Sequence, residues 1–218
     1  MKLVGITATR RLLIAGVVCL GMGVAAAAPA ASHDFVDEAR AFFSGLVEVT
    51  QASRASGGQL NDGAKAKLQD VSSKVDVEKL SQASLGATRW KGLKAADREE
   101  FRSVLQQLLE TAVFPAAKDI STKPEALKYE PVAAKPGQVR VSGDIERERA
   151  GERVSQPLSI VLVFDATSKR VKDAVLDREL ISATFKRQFD KALQKQKFSQ
   201  VLATMRQRVR DAQSPPKK

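Results

Sequence analysis

Along this chain of 218 residues, the spacing of apolar side chains changes twice. In several segments between Asp34 and Phe114, separated by a glycine-rich polar loop at residues 53–63, the apolar residues recur every three or four positions, as on one face of a helix. Between residues 126 and 176 they alternate, which is typical of strands, and from Ile181 the helical spacing returns. The order of helices, strands and helices predicts an α+β fold: a single domain in which helices wrap a curved antiparallel sheet of about four strands.

The strand region contains one segment that is apolar on both faces. Leu158, Ile160, Leu162 and Phe164 share one face. Val161 and Val163 lie on the other. Such a strand is predicted to be central and covered on both sides. The four predicted strands span residues 126–132, 138–149, 153–164 and 171–176.

The helical region contains a tightly specified block between Val75 and Leu109. Asp76 is predicted to cap a short helix, because its carboxylate can accept the free amide protons of the first turn. Gly86 is predicted to end that helix, since glycine adopts the left-handed conformation at little cost. Trp90 is placed in the connection that follows. The next helix opens near Asp97 and presents Phe101, Leu105, Leu108 and Ala112 on one face.

Residues 1–30 are predicted to be a cleavable signal peptide. Arg10 and Arg11 precede an apolar run, residues 12–24, which is too short to span a bilayer comfortably. Cleavage would remove Cys19, the only cysteine, so the mature chain would rely on its apolar core rather than on disulfides. The bacterial form of the signal predicts export to the periplasm. Residues 31–212 are then the folded domain and residues 213–218 a disordered basic tail.

The positive charge is concentrated at the C-terminal end. Residues 31–177 hold 22 basic and 22 acidic residues, whereas residues 178–218 hold 11 basic and 3 acidic ones. Two interpretations remain open: a solvated helical surface, or an electrostatic face for a lipid head group, a membrane surface or an acidic protein. On the second interpretation, Lys186, Arg187 and Lys191 dock the head group or partner. Nucleic acid is not an expected partner, because export would separate the chain from it.

The residues needed for catalysis are scarce. The single histidine, His33, lies next to the predicted mature N-terminus, and no cysteine remains after cleavage. Neither a GxSxG nor an HExxH pattern is present. The sequence therefore predicts a binding protein rather than an enzyme, with no catalytic residue, no metal ligand and no cofactor.

Two blocks resemble the MlaC, or toluene-tolerance, family of phospholipid-transport proteins. The first reads VDVEKLSQASLGATRWKGLKAADREEFRSVLQQLL and the second DAVLDRELISATFKRQFDKAL. In the second block Asp173 takes the place of the aspartate that closes a Val-Tyr-Asp stretch in the family's last strand. The pattern from Phe185 to Phe189 matches the family's Tyr-Arg-x-Gln-Phe, with Phe185 and Lys186 replacing the first two residues. Arg178 stands where the family usually has glycine.

The resemblance implies a soluble carrier of nuclear-transport-factor-like or MlaC-like fold, which acts as a monomer. Its implied partners are phospholipid, an inner-membrane ABC transporter and an outer-membrane lipoprotein complex, and its implied role is to maintain outer-membrane lipid asymmetry. The lipid tails would lie in an apolar pocket between sheet and helices. The candidate lipid-binding walls are Trp90, Phe101, Leu105, Leu108, Ile160, Leu162, Phe164, Phe185 and Phe189.

Three other functions remain open. The chain could bind another apolar ligand, such as a hopanoid or a fatty acid. It could be a nuclear-transport-factor-like enzyme, although that class uses an Asp–His pair and His33 is terminal. It could also be a chaperone that holds its partner in an apolar groove.

Overall fold

The computed structural model describes residues 34–55, 61–114, 123–149 and 152–213. Within these residues, helices flank a five-stranded antiparallel sheet that does not close into a barrel. The predicted α+β fold is therefore confirmed. The predicted signal peptide and residues 214–218 of the predicted tail lie outside the described residues, so the division of the chain into signal, domain and tail stays a prediction.

Among the described residues, five helices precede the sheet and two follow it. The first five are α1 (Val36–Ala55), α2 (Asp62–Ser73), α3 (Val77–Leu85), α4 (Ala87–Gly92) and α5 (Ala95–Leu108). A π-helical turn (Leu109–Val113) continues α5, and a 3₁₀ turn (Pro124–Ala126) leads into the sheet. The last two helices are α6 (Ile181–Leu193) and α7 (Phe198–Gln213).

Helix α3 begins and ends as the sequence predicts. The Asp76 carboxylate accepts the Lys79 backbone N–H at 3.1 Å, which satisfies a free donor of the first turn. Gly86 follows the helix with φ +81°, a conformation that disfavours residues with a Cβ atom. Trp90 differs from the prediction, because it lies within α4 rather than in a connection. The backbone N–H of Trp90 donates to the Gly86 carbonyl at 3.0 Å, so a new helical turn begins directly after Gly86.

The strands follow the chain in a simple meander. They are β1 (Lys128–Pro131), β2 (Gln138–Arg149), β3 (Glu152–Phe164), β4 (Val171–Leu176) and β5 (Glu179–Leu180), in that spatial order. The central position predicted for β3 is confirmed. Leu158, Leu162 and Phe164 on its inner face are buried. Val161 and Val163 are half-buried, so the second face is only partly covered.

The fifth strand was not predicted, because β5 is only two residues long. It pairs with the end of β4 across the two-residue turn Asp177-Arg178. Both turn residues have positive φ, 51° and 70°, as two-residue hairpins of type I′ require. Arg178 thus occupies a backbone conformation that glycine adopts more readily.

The core has two parts that share one continuous apolar cluster. In the first part, α1 packs on β1 and β2, and α3 packs on β4. In the second part the helices pack on one another: α3 lies against α6, and α5 lies against α7. The candidate site lies in the first part, where the sheet contributes one wall.

Candidate functional site: an apolar hollow between helices and sheet

An apolar cavity of about 260 Å³, here called the hollow, lies between the inner face of the sheet and the helices α1 and α3. Fourteen of its sixteen lining residues are apolar, and the two charged residues are Lys172 and Asp173. The apolar residues are Phe42, Phe43, Leu46, Val75, Leu80, Leu109, Phe114, Leu158, Ile160, Leu162, Val171, Ala174, Leu176 and Ile181. The arrangement suits a hydrocarbon chain, because burying apolar area is favourable and most of the wall consists of apolar side chains.

The hollow has a buried inner end and an open mouth. Phe42, Phe114 and Leu80 at the inner end are buried. Toward solvent, Leu176 is 45% exposed, and Lys172 and Asp173, earlier on the same strand, are half-buried. The charged lining residues therefore lie toward the solvent side.

Aromatic rings narrow the inner end. The Phe42 ring lies 6.2 Å from that of Phe43 and 6.3 Å from that of Phe114, both edge-on. Phe43 in turn contacts Tyr129 on β1 at 6.5 Å. These rings pack α1 onto the sheet and occupy space that an acyl chain could otherwise use.

The hollow is smaller than the pocket expected for two lipid tails. Its 260 Å³ lies just below the range of about 300–1,000 Å³ typical of small-molecule pockets. Two acyl chains contain roughly thirty methylenes, worth on the order of 20 kcal/mol on full burial. A pocket of this size is therefore small for two such chains.

Asp173 fixes helix α6 at the mouth of the hollow. Its carboxylate accepts the Ser182 backbone N–H at 3.1 Å and also the Ser182 hydroxyl. It accepts the Ala174 N–H at 2.8 Å as well. A carboxylate at a helix N-terminus satisfies free amide donors and complements the helix dipole, so Asp173 serves as a remote cap for α6.

The structure places two of the nine candidate wall residues, Ile160 and Leu162, in the lining of the hollow. A third, Phe164, shares their strand face but stacks on Phe35, with ring centroids 5.1 Å apart and planes at 11°. Strand alternation thus identified the face of β3 that lines the hollow. It could not show where along that face the hollow ends.

The other six candidates, on helices α4, α5 and α6, do not line the hollow. Phe101 lies at the centre of an aromatic cluster in the helical part of the core, and its side chain is fully buried. Its ring contacts Trp90 at 6.4 Å, Phe189 at 5.3 Å and Phe198 at 6.1 Å. Leu105 is also fully buried, whereas Leu108 and Phe185 are half-buried. Their assignment to lipid binding stays a prediction, and their observed role is to pack helices together.

Sequence reasoning missed the contribution of α1. Phe42, Phe43 and Leu46 belong to its apolar stripe, which indicates a buried face but not the partner of that face. Leu158 carried a more direct signal, because it alternates with Ile160 and Leu162. The residues of β4 at the mouth had no such signal, since a single short strand does not reveal its neighbours.

The three predicted docking residues differ in their surroundings. Lys186 pairs with Asp190 at 2.6 Å, and the Arg187 guanidinium forms a bidentate ion pair with the Glu179 carboxylate. Lys191 has no acidic partner among the described residues and lies at a cleft of about 500 Å³ between α6 and α7. Six of the ten residues lining this cleft are polar or charged, so it is less suited to hydrocarbon than the hollow is. Docking by these residues stays a prediction.

Asp190 joins α6 to α4. Its carboxylate accepts hydrogen bonds from Lys186 and from Arg89, each at 2.6 Å. The two bonds hold the pKa of Asp190 below its usual value, and the bond from Lys186 contributes more to this shift than the bond from Arg89. The bond between Asp190 and Arg89 connects α6 to α4 within the helical part of the core.

Asp165 joins the turn between β3 and β4 to helix α3. Its carboxylate pairs with the Lys79 ammonium group and accepts the Thr167 and Ser168 N–H groups at 3.0 and 2.9 Å. These bonds hold the pKa of Asp165 well below its usual range, and the bond from Lys79 makes the largest contribution to that shift. The contact fastens α3, one wall of the hollow, to the sheet.

This contact predicts a pH-dependent contribution to stability. Because the folded-state pKa of Asp165 is lowered, its carboxylate stabilises the fold at pH values above the unfolded-state pKa of about 3.9 and loses that effect as the pH falls through the folded-state pKa. We expect the melting temperature of the wild type to exceed that of Asp165→Asn at pH 7, and the difference to shrink between pH 5 and pH 2. Lys79→Met should behave like Asp165→Asn. A difference that stays constant over this range would contradict the assignment.

Two further observations concern the described residues only. Within them, no group of three or more histidine, cysteine, aspartate or glutamate side chains could hold a metal ion. No helix in the described ranges is both long and apolar enough to cross a membrane.

Comparisons with known proteins place this chain in context. The sequence model of one protein family, described as MlaC protein, matches residues 20–207. Among solved structures, the chain is similar to a phospholipid-binding protein from Ralstonia solanacearum in complex with a phospholipid, with a TM-score of 0.57 and 16% sequence identity. The match covers 84% of this chain and 100% of that one. At that identity the likeness shows the fold alone. No curated protein sequence matches the chain.

Proposed function

This chain belongs to the MlaC family, and from that premise we propose that it is a phospholipid-binding carrier of the periplasm rather than an enzyme. In this proposal the exported chain takes up lipid at one membrane and delivers it at the other. Its partners are an inner-membrane ABC transporter and an outer-membrane lipoprotein complex.

The observation that carries the proposal is the hollow. An apolar cavity lined by fourteen apolar residues lies between α1, α3 and the sheet of a fold similar to that of a phospholipid-binding protein. Each methylene buried there contributes about 0.8 kcal/mol, so several of them together outweigh a single exposed ion pair. An exposed ion pair contributes about 0–1 kcal/mol. The walls therefore set the affinity, and charged residues at the mouth set the orientation.

The lipid lies with its tails inside and its head group at the mouth. The inner end is apolar and buried, whereas Lys172 and Asp173 lie where the hollow meets solvent. Because a pocket of 260 Å³ is small for two acyl chains, complete uptake of both tails requires its walls to separate. The ring contacts of Phe42 with Phe43 and Phe114 are the packing that must open.

The basic surface of α6 and α7 is the proposed docking face. Lys186 and Arg187 already pair with acidic neighbours, whereas Lys191 does not pair with any described residue. Exposed ion pairs are weak and exchange partners readily, so the paired residues also remain usable in docking. The positive charge of α6 and α7 would increase the rate of association with an acidic partner surface more than it would increase the affinity.

A second candidate is favoured by one observation. The volume of the hollow suits one short chain better than two long ones, which supports binding of a single-chain amphiphile such as a fatty acid.

Native mass spectrometry separates these candidates. The full chain, with its own signal, is produced in a two-membrane bacterium and purified without detergent from the periplasmic fraction. A retained mass equal to one phospholipid supports the carrier, and a retained fatty acid supports the second candidate. Recovery from the cytoplasm alone contradicts the proposed location. A protein that stays empty after incubation with phosphatidylglycerol vesicles contradicts phospholipid binding.

A further inference from the structure

Lys172 stands out within the hollow. It is the only basic residue among the sixteen that line the cavity. The other charged residue, Asp173, is already engaged with Ser182 and Ala174. Lys172, in contrast, forms no ion pair or side-chain hydrogen bond with any residue in the described part of the chain. Among the described residues that line the hollow, Lys172 is thus the one charged group without a side-chain partner.

An irregularity in the sheet gives Lys172 this position. Phe164 pairs with Val171, but Val163 pairs with Asp173, so Lys172 is the extra residue of a bulge in β4. A bulge leaves its extra residue outside the regular pairing and redirects its side chain. The regular alternation resumes at Ala174, which pairs with Leu162 on the inner face.

The surroundings of Lys172 favour a ligand that is apolar at one end and anionic at the other. Val171 and Ala174 near it line the hollow, and Lys172 itself is half-buried, so its side chain borders both the cavity and solvent. An amphiphile with its hydrocarbon chain in the hollow would place its head group near Lys172. A half-buried ammonium group binds an anion more strongly than a fully exposed one, because water screens it less.

We propose that Lys172 binds the phosphodiester group of the lipid and thereby distinguishes phospholipids from uncharged lipids of the same chain length. The inference rests on the proposed function and adds the chemical group that the site recognises. Every phospholipid carries the phosphodiester, so Lys172 selects for phospholipids as a class. It does not discriminate between choline and glycerol head groups, which lie farther out.

The test is competition between lipids with matched chains. Delipidated full-length protein is incubated with vesicles containing equal amounts of phosphatidylcholine, phosphatidylglycerol and diacylglycerol, separated from them, and analysed by native mass spectrometry. Wild type is expected to retain the two phospholipids equally and each at least about tenfold over diacylglycerol, because a hydrogen bond to a charged group is worth at least that factor. In Lys172→Met that preference should fall to about twofold or less, and Lys172→Arg should restore it.

The matched control is Lys128→Met, because Lys128 is an exposed lysine of the same sheet that does not line the hollow. It should keep the wild-type preference. Equal retention of phospholipid and diacylglycerol by the wild type overturns the inference, as does a Lys172→Met variant with an unchanged preference. A parallel incubation with palmitate tests the carboxylate: Lys172-dependent retention of palmitate but not of phospholipid also overturns it. Failure to retain any lipid refutes the proposed function instead.

Discussion

Replacing Ala174 with tryptophan is expected to remove nearly all bound phospholipid from the purified protein. Ala174 lines the hollow near its mouth and pairs with Leu162, so its side chain projects from the inner face of the sheet. An indole ring at this position fills space that the lipid needs. Excluding about four methylenes costs about 3 kcal/mol at ~0.8 kcal/mol each, which weakens binding about 100-fold.

The stability of Ala174→Trp should change little, because the added ring enters existing space rather than a filled core. The measurement is the lipid-to-protein ratio after purification, together with the melting temperature. The matched control is Val175→Trp, which places the same ring one residue along β4 on the opposite face, where Val175 pairs with Val161. That variant should retain lipid. Wild-type lipid content in Ala174→Trp would show that the hollow is not the binding site.

Phe101→Ala is expected to lower stability more than any other variant considered. Phe101 is fully buried and contacts the rings of Trp90, Phe189 and Phe198. Truncation of a buried phenylalanine costs about 3–5 kcal/mol through lost burial and the cavity left behind. In a domain of this size that corresponds to a fall in melting temperature of about 10–15 °C, measurable by circular dichroism.

The same variant distinguishes packing from lipid binding. Phe101 does not line the hollow, so the folded fraction of Phe101→Ala should retain as much lipid per molecule as the wild type. Phe185→Ala is the control, because Phe185 is half-buried and contacts Phe189 at 6.3 Å, and it should cost less stability. A Phe101→Ala protein that melts like the wild type but is empty of lipid would instead place Phe101 in the lipid wall.

Local signals in the sequence were sufficient for most of the helices and strands and for both ends of α3. Asp76 and Gly86 begin and end α3 through contacts within a few residues, and such contacts can be read from neighbouring positions. The short strand β5 escaped detection because two residues carry no period. Trp90 was placed in a connection because nothing local distinguishes a six-residue helix from a turn.

The candidate site was only partly predictable. Alternation along β3 identified Ile160 and Leu162 correctly as inner-face residues, and both line the hollow. The apolar stripe of α5 was equally clear, and Phe101 is indeed buried. That stripe packs against α7 rather than facing the hollow. An apolar stripe shows that a face is buried and leaves open what covers it.

The sequence by itself determined the order of helices and strands, the α+β class and the faces that are buried, because these depend on spacing within one element. Only the tertiary structure decided where those faces leave a space between them. Phe42 and Leu162 are separated by 120 positions in the chain, yet both line the hollow. A cavity is the space left between elements that pack at a distance set by all their side chains, and no local pattern encodes that distance.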